Sequence, residues 1–304
     1  MNFEKIKYQT YLLSVLLFFL IHQIFYLIQG GNTYDELFLI YESGNIYNKI
    51  RLFFTDNNNP LLYDIGVNEY YGFLVVLPIY ILANSTTINN LFEIFYINLD
   101  IQQQDEILYF NMHILLNIYV VVVLFFIYRK LLNFYNKNTS LLVVIFIIIF
   151  PSFNGQSLFN IKDIPYALQL FLGVIYLYSC LYNLNLGKNQ NKKEILLTGT
   201  NIGLACLLRV NAYGFIGLVS LYFLIITIYK KRDLVLYLKT NFYVYFISLI
   251  VVIVGSPSSW KSPFRWLFDA LIHQFFYEWS GYTLTNGKFI EASNVSSTYL
   301  IEWF

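Results

Sequence analysis

The sequence predicts an all-α polytopic membrane protein with about seven transmembrane helices. Of its 304 residues, 58% are hydrophobic and only 12% are charged, whereas a soluble domain carries about twice that share of charge. Several apolar runs approach or reach the roughly 20 residues that a helix needs to cross a bilayer core of about 30 Å. The predicted spans lie at about 11–29, 108–128, 138–153, 165–184, 195–212, 213–229 and 240–255.

Clusters of lysine and arginine set the predicted orientation, because basic residues beside span ends stay in the cytoplasm. With seven spans, all four clusters fall on one side. They precede the first span and follow the second, fourth and sixth: Lys5 and Lys7; Arg129, Lys130 and Lys137; Lys188, Lys192 and Lys193; Lys230, Lys231, Arg232 and Lys239. A further span at 71–83 would reverse every later cluster, so this stretch is expected to be an interfacial or re-entrant helix.

The chain is expected to divide into a membrane domain and a tail. Residues 1–255 form the transmembrane domain, which includes a long outer loop at 30–107 with interfacial helices. Residues 256–304 form an extracytoplasmic tail. Together with a short loop around 151–164, these outer segments are where functional residues are expected.

Composition disfavours several functional classes. The formal net charge of +1 gives no general attraction for nucleic acid, so no nucleic-acid partner is expected. The two cysteines, Cys180 and Cys206, lie in apolar runs and are too few for a disulfide framework or a cysteine-based zinc site. They are expected to be small buried hydrophobic residues. The three histidines match no zinc spacing, and His113 is expected to be a packed polar group.

An acidic pair, Asp35 and Glu36, follows the outer end of the first predicted span. Two adjacent carboxylates at a membrane surface can bind a divalent cation, or one can accept a proton from an attacking hydroxyl while the other tunes it. Alternatively, Asp35 caps a helix whose apolar stripe begins at Leu37. The two roles are compatible, because a cap also holds its carboxylate in place.

Lys162 and Asp163 form a second candidate group, immediately before the fourth span. Pro165 fits the beginning of a helix and makes Asp163 well placed as its N-cap. Capping does not explain the neighbouring lysine, in a short loop that also holds Asn154, Gln156 and Asn160. A basic and an acidic residue side by side also suit the handling of an anion together with a hydroxyl or a metal ion. Both interpretations stay open.

Arg209 and the aromatic tail are the remaining candidates. An arginine at membrane depth is costly unless its head reaches the interface or meets an anion, so Arg209 is either a snorkelling anchor or a phosphate-binding group. Aromatic residues near an interface usually form an anchoring belt, although such rings also suit sugars. Those of the tail include Trp260, Trp266, Tyr277 and Trp279.

The order and outer-face placement of these residues resemble the GT-C superfamily of integral-membrane glycosyltransferases. Within it, the sequence is similar to family 39, the protein O-mannosyltransferase-like bacterial branch that depends on a lipid carrier. The resemblance rests on Asp35-Glu36 after the first span, on the Lys162-Asp163 loop, on Arg209 followed by Asn211-Ala212-Tyr213-Gly214, and on the tail motifs Trp279-Ser280-Gly281 and Asn286-Gly287-Lys288.

This resemblance implies a polyprenyl-phosphate-linked sugar as donor and a lipid, glycan or protein as acceptor. It implies a location in the bacterial inner membrane with an extracytoplasmic active site. It also gives catalytic importance to Asp35 and Glu36, with Asp163 as the second acidic position. Because family members usually have more than seven spans, it implies further spans beyond the tail.

The expected chemistry follows from the donor. A sugar on a polyprenyl phosphate already has a good leaving group, so the site needs a base for the acceptor hydroxyl and positive charge for the departing phosphate. Asp35 is expected to be the base. Glu36 and Asp163 are expected to orient the reactants or to bind a divalent cation. Lys162 and Arg209 are expected to bind the donor phosphate.

Two alternatives to an active transferase stay open. A transporter or lipid-carrier flippase would place ionisable residues near the bilayer midplane and show repeat symmetry. Here the candidate charges lie at outer span ends, and no repeat is evident in the sequence. The second alternative is an inactive fragment of such a transferase.

Overall fold

A computed structural model describes most of the chain as a bundle of helices. The described residues are 3–27, 34–55, 76–99, 104–158, 160–188, 191–260, 262–276, 281–285, 288–291 and 294–296. Within these ranges there are twelve α-helices and one two-stranded sheet. The predicted all-α polytopic fold class is confirmed.

The helices follow one another along the chain. They are α1 (Phe3–Leu27), α2 (Tyr34–Thr55), α3 (Val76–Ala83), α4 (Thr86–Leu99), α5 (Gln104–Leu131), α6 (Lys137–Ile149), α7 (Pro151–Gln156), α8 (Asp163–Asn185), α9 (Lys192–Leu208), α10 (Ala212–Tyr229), α11 (Leu234–Gly255) and α12 (Pro263–Phe276). A short 3-10 turn, Pro257–Ser259, separates the last two helices. The 71–83 stretch, predicted to be interfacial or re-entrant, contains the eight-residue α3.

Among the described residues, five helices are long and apolar enough to cross a membrane, rather than the predicted seven. They are parts or all of α1, α5, α8, α10 and α11: Tyr8–Leu27, Glu106–Leu131, Asp163–Asn185, Ala212–Tyr229 and Leu234–Gly255. The predicted span at 138–153 is the 13-residue α6, which stops before Pro151 because proline cannot continue that helix. The predicted span at 195–212 is the 17-residue α9, which begins with three charged residues and ends before Arg209.

The two shorter helices nevertheless run between the two ends of the bundle. Lys137, at the beginning of α6, lies 5.5 Å from the ring centroid of Tyr8 in α1. Just past the end of α6, Asn154 accepts a hydrogen bond through Oδ1 from Nε2 of Gln23, at 3.2 Å. Gln23 lies roughly 22 Å further along α1 than Tyr8. The α6–α7 pair therefore covers most of a bilayer core, and the 17 residues of α9 cover about 25 Å.

The basic clusters that follow α5, α8 and α10 meet at one end of the bundle. Near the ends of α8 and α10, the hydroxyl of Thr227 donates to Oδ1 of Asn185 at 3.3 Å. The α5–α6 turn is at this end too, because Lys137 contacts the beginning of α1. The beginning of α8 and the end of α9 lie at the other end. The cytoplasmic location of the basic end stays a prediction.

Helix α9 packs closely against α11 at two glycines. A Cβ atom at Gly199 would lie 2.7 Å from the Cβ of Ile247, and one at Gly203 would lie 2.6 Å from the Cβ of Val251. These distances are shorter than any ordinary contact between non-bonded carbons. Only glycine allows the two helices to approach this closely, and the four-residue spacing is the small-residue pattern of membrane helix packing.

In the tail, helix α12 has one face on the bundle and an apolar face exposed. Trp266 and Ala270 are buried in one apolar cluster with residues of α8 to α11. Every fourth residue on another face is exposed: Phe264, Phe268, Ile272 and Phe276. This arrangement is typical of a helix that anchors at a membrane interface, as expected for the aromatic tail. Tyr277 and Trp279 lie outside the described residues.

After α12 the chain forms a hairpin that the sequence analysis did not predict. Strand β1 (Tyr282–Thr285) pairs antiparallel with β2 (Lys288–Glu291), and Thr285 lies opposite Lys288. The two residues between them are Asn286 and Gly287. This dipeptide between two β-prone runs is the strongest short sequence signal for a hairpin.

Candidate functional site

Asp163 and Arg209 form an ion pair at the end of the bundle opposite the basic clusters. Asp163 is the first residue of α8, and Arg209 follows the last residue of α9. Nη2 of Arg209 donates a hydrogen bond to Oδ1 of Asp163. The side chains of Arg209 and Asp163 are 26% and 46% exposed. A polar ligand can therefore reach both groups.

Asn160 takes the role that the sequence analysis gave to Asp163. The residue before α8 is Lys162, which makes no side-chain cap hydrogen bond. Oδ1 of Asn160 accepts hydrogen bonds from the backbone N–H groups of Lys162, at 3.3 Å, and of Asp163, at 2.8 Å. The predicted N-cap at Asp163 is wrong, because Asn160 already satisfies donors at the helix start. The carboxylate of Asp163 faces Arg209. Nδ2 of Asn160 donates a hydrogen bond to Oδ2 of Asp163 at 3.2 Å.

The break between α9 and α10 brings Arg209 toward α8. Arg209 has an extended backbone, with φ −151° and ψ 120°, so the helix cannot continue through it. Its carbonyl accepts a hydrogen bond from the N–H of Ala212 at 3.0 Å, which closes a tight turn. Its neighbours Leu208 and Val210 are 2% and 1% exposed. Because side chains alternate in extended chain, the buried neighbours leave Arg209 directed at Asp163.

Tyr166 and Asn211 complete the group, and the sequence analysis assigned neither a role. The hydroxyl of Tyr166 donates to Oδ1 of Asn211 at 2.8 Å. The guanidinium carbon of Arg209 lies 5.5 Å from the centroid of the Tyr166 ring, within cation–π range. Tyr166 follows Asp163 by three residues and therefore shares its helix face, which is the sequence signal that could have identified it. These residues, with Asn160 and Lys162, are here called the Asp163–Arg209 cluster.

The acidic pair lies in the first turn of α2. This helix begins at Tyr34, so Asp35 and Glu36 are already inside it, whereas an N-cap precedes the first helical residue. The backbone therefore disagrees with the expected capping role of Asp35. The side chains of both residues lie outside the part that the structure describes, so their expected convergence with Asp163 and Arg209 stays a prediction.

A buried apolar cluster includes a residue of α2 and residues next to the beginning of α8 and at the end of α9, where the ion pair lies. Ile40 belongs to the same cluster as Ile161 and Leu208. Ile161 precedes Lys162, and Leu208 precedes Arg209. Ile40 is five residues beyond Asp35, about 7.5 Å along the helix. The backbone of the acidic pair is thus anchored at the same end of the bundle as the ion pair.

The other candidate groups have structural roles. Cys180 and Cys206 are buried and are not in disulfides, as predicted. His113 is 6% exposed, which agrees with a packed polar group. Among the described residues, no three His, Cys, Asp or Glu side chains are grouped as metal ligands. The expectation of a divalent cation at Asp35 and Glu36 depends on side chains outside that range.

The fold and the ion pair define a polytopic membrane protein with an accessible polar site at one end of its spans. Residues 90–261, more than half of the chain, match the family model described as dolichyl-phosphate-mannose-protein mannosyltransferase. The chain belongs to this family and is a membrane glycosyltransferase with a polyprenyl-phosphate-linked sugar donor. Comparisons with curated proteins and with solved structures gave no match. The matched segment contains Lys162, Asp163 and Arg209, whereas Asp35 and Glu36 precede it.

Proposed function

We propose that this chain transfers a sugar from a polyprenyl phosphate to an acceptor hydroxyl at the extracytoplasmic face of a bacterial inner membrane, as a family 39 enzyme. The observation that carries this proposal is the accessible Asp163–Arg209 ion pair, opposite the basic end of the bundle. The transporter alternative is less favoured, because these charges lie at span ends and the family match is to a transferase.

Arg209 and Lys162 bind the donor phosphate in this proposal. A guanidinium carries five N–H donors in a planar fork, so one carboxylate and one phosphate can be held together. Asp163 orients Arg209, and the Tyr166 ring lies beside its guanidinium. As the bond between sugar and phosphate breaks, negative charge grows on the phosphate. Fixed positive groups stabilise that charge more in the transition state than in the bound donor.

Asp35 acts as the base in the proposed reaction. The acceptor oxygen forms a bond to the anomeric carbon and gives its proton to the Asp35 carboxylate, while the phosphate leaves with the electron pair of the broken bond. Glu36 positions the acceptor; if the reaction uses a divalent cation, Glu36 and Asp163 would hold it. Ile40 of α2 shares one buried apolar cluster with Ile161 and Leu208, which supports a position of α2 near the donor phosphate.

Release of the free carrier phosphate is the direct test. Membranes that contain the full chain are incubated with polyprenyl-phosphate mannose and a protein that offers hydroxyl acceptors, because the family description names a dolichyl-phosphate mannose and a protein. We expect Asp35→Asn to abolish transfer while membrane insertion is unchanged. We expect Arg209→Ala to lower kcat/KM about 100-fold, the loss typical of removing one charge-stabilising donor. Normal transfer by Asp35→Asn would exclude its role as the base.

The chain offers a matched control for the arginine variant. Arg265 also pairs with an aspartate, Asp269, at 3.5 Å, but its side chain is 82% exposed on α12. Arg265→Ala should leave transfer within about twofold, since exposed pairs contribute little. The phosphate role also requires that Arg209→Ala raises the KM for the donor more than the KM for the acceptor. Equal changes in the two KM values would contradict it.

Cysteine labelling tests the proposed membrane orientation. Both native cysteines are buried, so background reaction with a membrane-impermeant maleimide should be low. In intact cells we expect Asp35→Cys to react from outside, and Lys188→Cys to react only after permeabilisation. The reverse pattern would place the Asp163–Arg209 cluster in the cytoplasm and discard the extracytoplasmic site.

A further inference from the structure

A polar cavity lies at the basic end of the bundle. It has a volume of about 1000 Å³ and lies between the ends of α5 and α8 and the beginning of α9. This cavity has no role in the sugar transfer proposed above, and the family match assigns it none. Its charged lining residues are Arg129, Lys130, Lys188, Lys193 and Glu194, and Ser179 and Asn183 of α8 also line it.

The cavity is strongly basic. Four of its lining side chains are cationic and one is acidic, so its formal net charge is +3. Within the described part of the chain, the only ion pair in this lining joins Lys130 and Glu194. Arg129, Lys188 and Lys193 are exposed and make no ion pair there with any described residue. Their positive charge is therefore available to a ligand.

The paired lysine and glutamate form a fixed wall of the cavity. Nζ of Lys130 lies 3.3 Å from Oε1 of Glu194 and 4.4 Å from the ring centroid of Tyr176. The hydroxyl of Ser179 donates to the same carboxylate oxygen at 3.1 Å. The two charged side chains are only 10% and 22% exposed. The acidic group is thus occupied within the protein and does not cancel the three exposed cations.

The cavity changes from charged to apolar toward the middle of the bundle. On α5, Phe125 and Phe126 lie about one turn, roughly 6 Å, before Arg129 and Lys130. On α9, Leu197 lies about one turn beyond Lys193. Phe126 and Leu197 are 46% and 38% exposed. They lie about one turn inside the ends of α5 and α9, where a lipid chain can contact them. A ligand that fits both parts has an anionic head and an apolar chain.

This cavity is separate from the Asp163–Arg209 cluster. Both lie on α8, but Asp163 is its first residue and Ser179 and Asn183 are in its last two turns. At 1.5 Å per residue, the two sites are about 24–30 Å apart along the helix. That separation is nearly the thickness of a bilayer core, so the two sites face opposite leaflets.

We propose that this cavity binds the phosphate headgroup of an anionic membrane lipid, in the leaflet opposite the Asp163–Arg209 cluster. The phosphate contacts Arg129, Lys188 and Lys193, and the first carbons of the lipid chain lie against Phe126 and Leu197. Basic pockets between transmembrane helices recognise lipid phosphates in this way. Inorganic phosphate has the same charge chemistry but leaves the apolar part empty. The proposal does not depend on the sugar-transfer activity.

Lipid-dependent stabilisation of the purified full chain in neutral detergent tests the proposal. Thermal unfolding is followed with added dioleoylphosphatidylglycerol, dioleoylphosphatidylcholine or inorganic phosphate. We expect phosphatidylglycerol alone to raise the unfolding temperature with saturation. The triple variant R129Q/K188Q/K193Q should bind it about 100-fold more weakly, because each basic residue contributes about fivefold.

A second basic cluster provides the control. Lys230, Lys231 and Arg232 are exposed at the same end of the bundle and do not line the cavity. The variant K230Q/K231Q/R232Q removes the same charge and should bind phosphatidylglycerol as the wild type does. Equal weakening in both triple variants would overturn the proposal, because it would indicate general attraction to the surface.

Two further outcomes would also overturn it. They are equal stabilisation by phosphatidylcholine and equal stabilisation by inorganic phosphate, which would remove the anionic lipid as the ligand. If R129Q/K188Q/K193Q unfolds without lipid at a lower temperature than K230Q/K231Q/R232Q, it folds less stably. In that case the binding of phosphatidylglycerol to the single variant Arg129→Gln is measured instead. We then expect about fivefold weaker binding, and wild-type binding by that variant would overturn the proposal.

Discussion

Replacing Gly203 by alanine tests how α9 is held against α11. The added Cβ would lie 2.6 Å from the Cβ of Val251 and 2.8 Å from the carbonyl oxygen of Ser248. Non-bonded carbons rest about 3.5–4.0 Å apart, so α9 must move away by about 1 Å. Overpacking of this size costs about 1–3 kcal/mol. Alanine recovers roughly 0.5–1 kcal/mol of helix propensity, and the net destabilisation should be about 1–2 kcal/mol.

The same displacement should reduce activity through Arg209. This residue follows Gly203 by six positions, about 9 Å along α9, whereas its partner Asp163 is on α8. Moving α9 by about 1 Å changes the position of the guanidinium relative to the donor phosphate. Misplacement of that size can cost about 100-fold in rate. We expect a lower unfolding temperature in detergent and a loss of sugar transfer on that order.

Gly217 supplies the control. Among the described residues, no atom outside its own helix backbone lies within 4 Å of a Cβ placed there, so Gly217→Ala should raise stability by about 0.5–1 kcal/mol. Adding Val251→Ala to Gly203→Ala should restore only a small part of the lost stability, because alanine keeps the Cβ that lies 2.6 Å from the new Cβ and, of the close atoms, removes only the Cγ1 at 2.9 Å. Wild-type unfolding temperature and transfer in Gly203→Ala would refute the packing argument.

Two further substitutions probe the polar groups at each end of the bundle. Tyr166→Phe removes the hydrogen bond to Asn211. We expect a loss of about 1 kcal/mol in stability and a higher KM for the donor. An unchanged donor KM would contradict a role of Tyr166 in positioning Arg209. Lys130→Met leaves the Glu194 carboxylate largely buried without its cation, which should cost about 2 kcal/mol. The unfolding temperature of the double variant K130M/E194Q should lie between those of Lys130→Met and the wild type. Equal unfolding temperatures of the single and double variants would contradict the ion-pair argument.

Much of the fold was predictable because membrane spans are determined by length and composition. The apolar runs in α1, α5, α8, α10 and α11 are long enough to identify without neighbours. The two shorter helices were overestimated, because Pro151 ends α6 and Arg209 interrupts an apolar run that continues into α10. The hairpin was missed despite the Asn286-Gly287 signal, since the aromatic residues of the tail were interpreted as an anchoring belt or as sugar-binding rings, and Asn286-Gly287-Lys288 was interpreted as a family motif.

The sequence predicts which helix ends meet at the site, but it does not predict the hydrogen bonds that form there. With alternating spans, the beginning of the fourth and the end of the fifth must lie on one face, which brings Asp163 and Arg209 to the same side. The sequence does not determine which side chain satisfies the N–H groups at the start of α8. Asp163 and Asn160 are both good caps, and only the path of the loop selects Asn160.

The helices of this bundle differ in how much of their surface meets other protein. The membrane-length windows of α5 and α8 are 61% buried, whereas those of α1, α10 and α11 are 28%, 22% and 28% buried. Lipid tails accept apolar side chains of almost any shape, so substitutions on the exposed faces of these three peripheral helices should cost little stability. Every change of volume on the two central helices must instead be absorbed by packed neighbours. Mutational tolerance should therefore be greatest on the three peripheral helices, and α8, which begins with Asp163, should change most slowly.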